Sequence, residues 1–139
     1  SVVPLLCRIL SDDKVWNARR NAAQALEAKA DPSAADVLAA AARDSHWQVR
    51  KFALKALAKV MTAQQVGAII PLLCDEYSDV RKEAAVALGR SGSTHASAAL
   101  RQAESDSDIE VRIAAARSLQ YLNDIVAKPA VPNTAISDV

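Results

Sequence analysis

The stretch DEYSDVRKEAAVAL, residues 75–88, is the third of four copies of one pattern in this chain of 139 residues. An arginine recurs at every 31st position, and an aspartate, an alanine and a leucine recur in the same register around it. The four columns are Asp13, Asp44, Asp75 and Asp106; Arg19, Arg50, Arg81 and Arg112; Ala22, Ala53, Ala84 and Ala115; and Leu26, Leu57, Leu88 and Leu119. Self-similarity at a fixed period of this length predicts a repeat architecture.

Each copy predicts a helix, because its small or apolar positions lie on one face of a 3.6-residue period. A second apolar stretch precedes each aspartate, and Asp- and Ser-rich joints between the stretches indicate tight turns. These stretches are VVPLLCRIL (2–10), AADVLAAAA (34–42), VGAIIPLL (66–73) and ASAALRQA (96–103). A helical hairpin of about 31 residues cannot bury both apolar faces alone, so neighbouring hairpins must stack. The predicted fold is all-α, a right-handed α-solenoid of four stacked helical hairpins.

The periodicity also predicts the domain organisation. Residues 1–123 form one domain, with repeats at about 2–30, 33–61, 64–91 and 95–122. Residues 124–139 contain two prolines and no helical stripe, which predicts an extended or disordered tail. The apolar first stretch would expose part of its surface if nothing preceded it. Two hypotheses follow: further repeats upstream, or self-association through this N-terminal helix.

Composition narrows the class of protein. Hydrophobic residues make up 51% of the chain but aromatic residues only 4%, which favours helices over strands. The formal net charge is +1, so no global field would attract nucleic acid, anionic membrane or acidic substrate over long range. No apolar run approaches the ~18–20 residues of a membrane span. Two cysteines far apart fit a reducing compartment, and we expect a cytoplasmic location.

The pattern D-x-x-x-x-[VA]-R-x-x-A-x-x-[AS]-L, present four times, resembles the HEAT repeat. It is most similar to the short HEAT-like subclass named after the phycobilisome lyases, and the resemblance covers about residues 2–122. It implies a helical solenoid in which the recurrent aspartates and arginines are structural. It implies little about function, because one scaffold serves many partners.

The residues support the same interpretation of the charged columns, since a catalytic group normally occurs once in a chain. An aspartate at the inter-helix turn can cap the second helix, and the arginine six residues on can bridge to an aspartate. Whether that aspartate belongs to the same repeat or to a neighbour is left open. The four aspartates and four arginines are predicted to form an ionic ladder along one edge of the stack.

Catalytic and metal-binding motifs are missing from the sequence. His46 and His95 are the only histidines, they lie at different registers, and no HExxH or CxxC motif accompanies them. No G-x-S-x-G motif or phosphate-binding glycine loop occurs. Some HEAT-like hydroxylases bind iron through paired His-Glu motifs, and this chain has no His-Glu dipeptide. We therefore predict no enzymatic activity, no catalytic residue, no metal and no cofactor.

The positions that vary between repeats predict the recognition surface. They lie on the inner helices opposite the Ala/Leu stripe, and they hold both tryptophans. Trp16 and Trp47 should lie on adjacent helices, where exposed aromatic and basic residues are typical of a protein-binding hot spot or of a platform for nucleic-acid bases. The alternative is that both tryptophans cover the inter-helix turns. The candidate partner-binding residues are Trp16, Arg20, Trp47, Lys51, Phe52, Lys55, Lys82, Arg90, Arg117 and Tyr121.

The charge of this surface decides between classes of partner. This surface holds seven basic residues and three acidic ones. The modest surplus of positive charge favours a protein or peptide of some acidic character. Nucleic acid is not favoured, because its binders need many phosphate contacts. The predicted function is a non-enzymatic protein-interaction scaffold. Two alternatives stay open: a nucleic-acid-binding module, and a bilin-lyase-like or chromophore-handling subunit, which only the family resemblance implies.

Overall fold

The computed structural model describes residues 1–127, and every regular element in that range is helical. The inner helices are α2 (Trp16–Lys29), α4 (Trp47–Leu57), α6 (Ser78–Arg90) and α8 (Ile109–Ala127). The outer helices are α1 (Val3–Asp12), α3 (Ala35–Ala41), α5 (Val66–Ile69) and α7 (Ser97–Ala103). Short 3₁₀ turns span Pro32–Ala34, Ala63–Gln65, Ile70–Cys74 and Thr94–Ala96. Each outer helix and the inner helix after it form one hairpin, and we number these hairpins repeats 1 to 4.

The predicted α-solenoid is confirmed. Helix α2 packs on α4, α4 on α6, and α6 on α8, while the outer helices form a second layer. The core between the layers is built from the periodic apolar columns, and Val49, Val80 and Val111 are fully buried in it. Leu57 and Leu88 are equally buried. None of the helices in residues 1–127 is long and apolar enough to cross a bilayer.

Each later outer helix begins at a side-chain cap that recurs with the same period. Asp31, Thr62 and Ser93 accept hydrogen bonds from the backbone N–H two residues further on, at 2.8, 3.3 and 3.3 Å. These side chains satisfy donors that have no partner inside the helix. The column mixes three residue types, and sequence analysis did not single it out.

The third outer helix is interrupted by Pro71. A proline inside a helix has no N–H to donate and its ring clashes with the carbonyl four residues earlier. Helix α5 therefore ends at Ile69, and the chain continues as the 3₁₀ segment Ile70–Cys74. The apolar side chains of Leu72 and Leu73 remain buried, so the repeat keeps its outer layer.

The charged columns join consecutive repeats. Arg19, Arg50 and Arg81 each bind the carboxylate of the next repeat in a bidentate manner and the main-chain carbonyl of the aspartate in their own repeat. The Nε and Nη2 distances are 2.7 and 3.0 Å for Arg19–Asp44, 2.8 and 3.2 Å for Arg50–Asp75, and 2.9 and 3.1 Å for Arg81–Asp106. The Nη1 atoms donate to the Asp13, Asp44 and Asp75 carbonyls at 2.8, 3.0 and 2.8 Å. The paired side chains are 9–15% exposed. We call this set the Arg–Asp ladder.

The ladder aspartates accept hydrogen bonds within the inter-helix turn and do not cap the helix that follows it. Asp44 Oδ1 accepts the N–H of His46 at 2.8 Å, and His46 is the N-cap of α4. The expectation that the aspartate caps the second helix is wrong, because two residues separate it from the first helical turn. The N-cap function passes to His46, whose Nδ1 accepts the Gln48 N–H at 3.2 Å, and in repeat 4 to Asp108.

The ladder lowers the pKa of two of its carboxyl groups, Asp44 and Asp106. Burial by itself raises the pKa of Asp44, but hydrogen bonds from Arg19 and from the His46 N–H outweigh it, so the pKa lies below its ordinary value. The same balance, with Arg81 and the Asp108 N–H as donors, lowers the pKa of Asp106. Such a carboxyl stabilises the fold above its unfolded-state pKa and loses that contribution as pH falls through its folded-state pKa.

The two ends of the array differ from expectation in detail. Helix α8 continues to Ala127, four residues beyond the predicted boundary at Asn123, because no proline or glycine interrupts residues 120–127 and Gln120 bonds Asp124 across one turn. The rest of the predicted tail, 128–139, lies outside the described residues. In α1, Val3 and Leu10 are buried, whereas Val2 and Leu5 are 49% and 53% exposed.

Breaking the middle of the ladder should destabilise the array. In R50Q the Asp75 carboxylate loses both of its hydrogen bonds from Arg50 while remaining largely buried. We expect a loss of about 2–3 kcal/mol in the free energy of unfolding, below the full cost of breaking a buried pair because these side chains keep some solvent contact. K51Q, which removes the more exposed Lys51–Asp79 pair, should cost less than about 1 kcal/mol. Urea titration checks both values, and equal losses would contradict the ladder's structural role.

The pH dependence of stability should follow the ladder carboxyls. The free energy of unfolding should fall as pH drops below about 4, the ordinary range of aspartate, because protonation removes the charge that the arginines bind. In D44N/D106N this dependence should be weaker, whereas in D12N, which changes an exposed aspartate, it should match the wild type. Urea titrations between about pH 5 and pH 2 give the slopes. Equal slopes in D44N/D106N and the wild type would refute this assignment.

Candidate functional site

A second series of polar contacts runs along the inner helices beside the Arg–Asp ladder. The cation that follows each ladder arginine reaches an acceptor two residues before the next ladder arginine. These contacts are Arg20 Nη1 to Gln48 Oε1 at 2.9 Å, Lys51 Nζ to Asp79 Oδ2 at 3.3 Å, and Lys82 Nζ to Glu110 Oε2 at 3.9 Å. We call this series the second ladder. Three predicted partner-binding cations are therefore partly engaged within the array.

Sequence reasoning missed the second ladder although its signal is present. Arg20, Lys51 and Lys82 are spaced by the repeat period, and so are the acceptors Gln48, Asp79 and Glu110. These columns keep charge or polarity and not residue identity, so the pattern places them on the variable, outward-facing surface. The series stops in repeat 4, where Ile113 occupies the position of the cation.

The tryptophans contact the next repeat through aromatic stacking. Trp16 stacks on the His46 ring with centroids 3.6 Å apart, and Trp47 stacks on Tyr77 at 4.9 Å. The Arg20 guanidinium lies 5.3 Å from the Trp16 ring centroid. Both tryptophans are half-buried over the inter-helix turns. This geometry corresponds to the alternative in which the tryptophans cover the turns, since each ring stacks on a residue of the next repeat.

Phe52 and the lysines around it form the middle of the inner surface. The Nζ atoms of Lys51 and Lys55 lie 5.7 and 5.4 Å from the centroid of the Phe52 ring, within the range of cation–π contacts. Glu83 occupies the position of Phe52 in the next repeat. Burial raises its pKa, while the nearby charges of Lys55, Lys82 and Lys51 oppose that rise. The basic character of this middle region is therefore partly compensated.

The inner surface opens into a groove between α6 and α8, with a volume of about 680 Å³. Its apolar side chains include Val86, Ile113 and Tyr121, and the last two are 43% and 52% exposed. Arg90 and Arg117 also line it, both exposed, and neither forms an ion pair with another described residue. We call this feature the α6–α8 groove. Lys82, Arg90, Arg117 and Tyr121, all predicted for partner binding, meet here.

The two helices that line the groove approach each other closely at Gly89. Gly89 of α6 faces Ser118 of α8, and a Cβ atom added at Gly89 would lie 2.5 Å from the Ser118 Cβ. Ser118 Oγ donates to the Ala85 carbonyl of α6 at 2.7 Å. The two helices thus touch at Gly89, and sequence reasoning gave this glycine no role.

Groups suited to catalysis or metal binding are scattered. Within residues 1–127 no cluster of three or more His, Cys, Asp or Glu side chains is arranged to hold a metal ion. His46 is stacked under Trp16, and His95 lies in the turn capped by Ser93. Cys7 and Cys74 are free thiols, and burial raises the pKa of Cys7.

Stacked hairpins joined by periodic polar contacts, with a groove along the inner helices, define an α-solenoid repeat protein. The family model for HEAT repeats matches residues 3–75 and 37–120, so the chain belongs to the HEAT-repeat family. No curated protein matches the chain.

Several solved structures share the fold. The complex of CpcE and CpcF of phycocyanin lyase from Nostoc sp. PCC7120 superimposes with a TM-score of 0.79 over 88% of this chain and 53% of that one. An engineered protein gives 0.73 over 88% and 62%, and human deoxyhypusine hydroxylase in complex with glycerol gives 0.73 over 94% and 48%. Each is 24% identical in sequence. The chain spans about half to two thirds of the length of these neighbours.

Enlarging Gly89 should disturb the groove. In G89A the new methyl group overlaps Ser118, which forces α6 and α8 apart and should cost about 1–3 kcal/mol of unfolding free energy. In an S118G background the same change should cost less, because the Oγ and Cβ atoms are gone and only the backbone Cα of residue 118, at 3.0 Å, stays close. G67A is the control, since a Cβ there meets nothing within 4 Å and should not destabilise the fold. Thermal and urea unfolding measure these values, and an equal cost of G89A in both backgrounds would disprove the overlap.

Proposed function

We propose that this chain is a non-enzymatic interaction scaffold that binds a protein or peptide segment in the α6–α8 groove. The segment carries acidic side chains next to apolar ones. The observation that supports the proposal is the pairing of exposed Ile113 and Tyr121 with Arg90 and Arg117, whose charges have no partner among the described residues. Tyrosine and arginine beside apolar side chains are the residue types that dominate binding hot spots.

The contacts along the array favour this part of the inner surface over the first two repeats. Trp16 and Trp47 are stacked on the following repeats, and Arg20 and Lys51 are engaged in the second ladder. A partner at those positions would have to displace contacts that hold the repeats together. The contact of the second ladder between repeats 3 and 4 is its longest, 3.9 Å between Lys82 and Glu110, and Arg90 and Arg117 have no ion-pair partner among residues 1–127.

The chemistry of the partner follows from the groove. Apolar side chains entering between Val86 and Tyr121 supply most of the binding energy through burial. Carboxylates beside them can form bidentate contacts with Arg90 and Arg117, which fix the orientation of the segment. Solved structures of this fold include a lyase and a hydroxylase, so the fold by itself does not separate a scaffold from an enzyme. The proposal rests on the groove.

Selection from a random peptide display library tests the proposal, because the groove itself then chooses among peptides of every composition. The wild-type chain serves as bait, and each enriched peptide is then titrated against R90E/R117E by fluorescence anisotropy. We expect peptides that combine Asp or Glu with Leu, Phe or Trp, and a loss of affinity of about tenfold or more in R90E/R117E. The matched control R43E/R101E makes the same change of charge at exposed arginines of the outer surface and should bind as the wild type does.

Two outcomes would contradict the proposal. Enriched peptides without acidic residues would exclude the stated chemistry of the partner. Equal losses in R90E/R117E and R43E/R101E would show that net charge, and not the groove, determines binding. A third comparison uses single-stranded oligonucleotides as the ligand, and binding of these that weakens steeply with salt would favour the nucleic-acid alternative.

A further inference from the structure

Arg112, the last arginine of the Arg–Asp ladder, is held by its own turn like the others, but no carboxylate among residues 1–127 binds it. Its Nη1 atom donates to the carbonyls of Asp106 and Ser107 at 2.8 and 3.2 Å, as the corresponding atom of Arg50 does in repeat 2. In the three preceding repeats, the Nε and Nη2 atoms of the ladder arginine bind a carboxylate. The same two atoms of Arg112 meet no acidic side chain within residues 1–127. Arg112 is therefore one oriented half of a ladder contact.

Asp13, the first aspartate of the ladder, is the complementary half of such a contact. Asp13 Oδ1 accepts the N–H of Val15 at 2.8 Å, the same turn contact that orients Asp44, Asp75 and Asp106. Within the described range no arginine binds the Asp13 carboxylate. The other three ladder aspartates each accept two hydrogen bonds from the arginine of the preceding repeat.

Residues near Arg112 and Asp13 occupy positions that, in the other repeats, contact a neighbouring repeat. Ala116 is exposed, although Ala23, Leu54 and Ala85 at the equivalent positions are completely buried. Ile109 and Val15 are 60% and 57% exposed. They occupy the two columns that stack on each other between repeats 1 and 2 and between repeats 2 and 3.

We propose that two copies of this chain associate head to tail, with Arg112 of one copy bound to Asp13 of the other. The contact continues the register of the array: Ile109 packs on Val15, and Ala116 packs against the exposed side of α2. A second copy is the favoured occupant because Arg112 and Asp13, each oriented by its own turn, are complementary halves of one contact carried by the same chain. Ile109, Arg112 and Ala116 do not line the α6–α8 groove, so the argument for this contact does not rest on the proposed function.

This surface differs from the one expected from the sequence. Leu5 in α1 is exposed, but the equivalent positions of later repeats, Asp36, Gly67 and Ala98, are exposed as well. Leu5 therefore lies on the outer surface of the array and not on the end that a second copy covers. An interface between two different ends leaves one end of each kind free in an open dimer, so further copies should add as the concentration rises.

The first test is sedimentation velocity and light scattering on the full chain, at protein concentrations up to about 1 mM. We expect the mean mass to rise with concentration, and D13N and R112Q should each weaken association about tenfold or more. D13N keeps an oxygen for the Val15 N–H, so the turn is preserved. A wild-type chain that stays monomeric at about 1 mM, or variants that associate as the wild type does, would overturn the proposal.

Charge reversal gives the decisive test. D13R alone and R112D alone should both be monomeric, because like charges meet at every junction. An equimolar mixture of the two should associate, since each junction between the two variants pairs opposite charges again. D12R and R43D, which reverse exposed charges outside the contact, should each associate as the wild type does. Circular dichroism establishes that each variant is folded, and a mixture of folded variants that remains monomeric would overturn the proposal.

Discussion

The bidentate contact between an arginine and the aspartate of the next repeat is the interaction on which the array depends. One guanidinium binds a main-chain carbonyl of its own inter-helix turn and both carboxylate oxygens of the next turn. It therefore fixes the position of one hairpin relative to the next, which the burial of small alanine side chains alone does not specify. Repeating the contact gives every junction the same geometry and lines up the inner helices.

The regular junctions explain why the inner surface is less available than its composition suggests. Once the helices are in register, the cation after each ladder arginine meets a polar side chain of the next repeat, and each early tryptophan meets the N-cap residue of the next helix. Residues that look variable and exposed in the sequence thus stabilise junctions. The surface that stays free lies where these series stop, at Ile113, Arg117 and Tyr121 of repeat 4.

Most of the fold could be predicted, because the same pattern of residues occurs four times in the sequence. The Arg, Ala and Leu columns gave the inner helices and their buried face, and Val49, Val80 and Val111 are buried as the pattern requires. Errors arose where local chemistry departs from the repeat. Asp44 holds a turn two residues before its helix, and α8 runs four residues past the last periodic position, since nothing in residues 120–127 stops it.

For the candidate site, the sequence by itself determined which residues lie on the inner surface, because helical periodicity fixes the direction of each side chain. Only the tertiary structure decided which of them are free. Arg20 and Arg117 are both predicted on the inner surface, yet Arg20 is bonded to Gln48 while Arg117 lines the groove without an ion-pair partner among the described residues. The physical reason is that the partners of these side chains lie 25 to 30 residues away, in the next repeat, at distances that depend on how the hairpins stack.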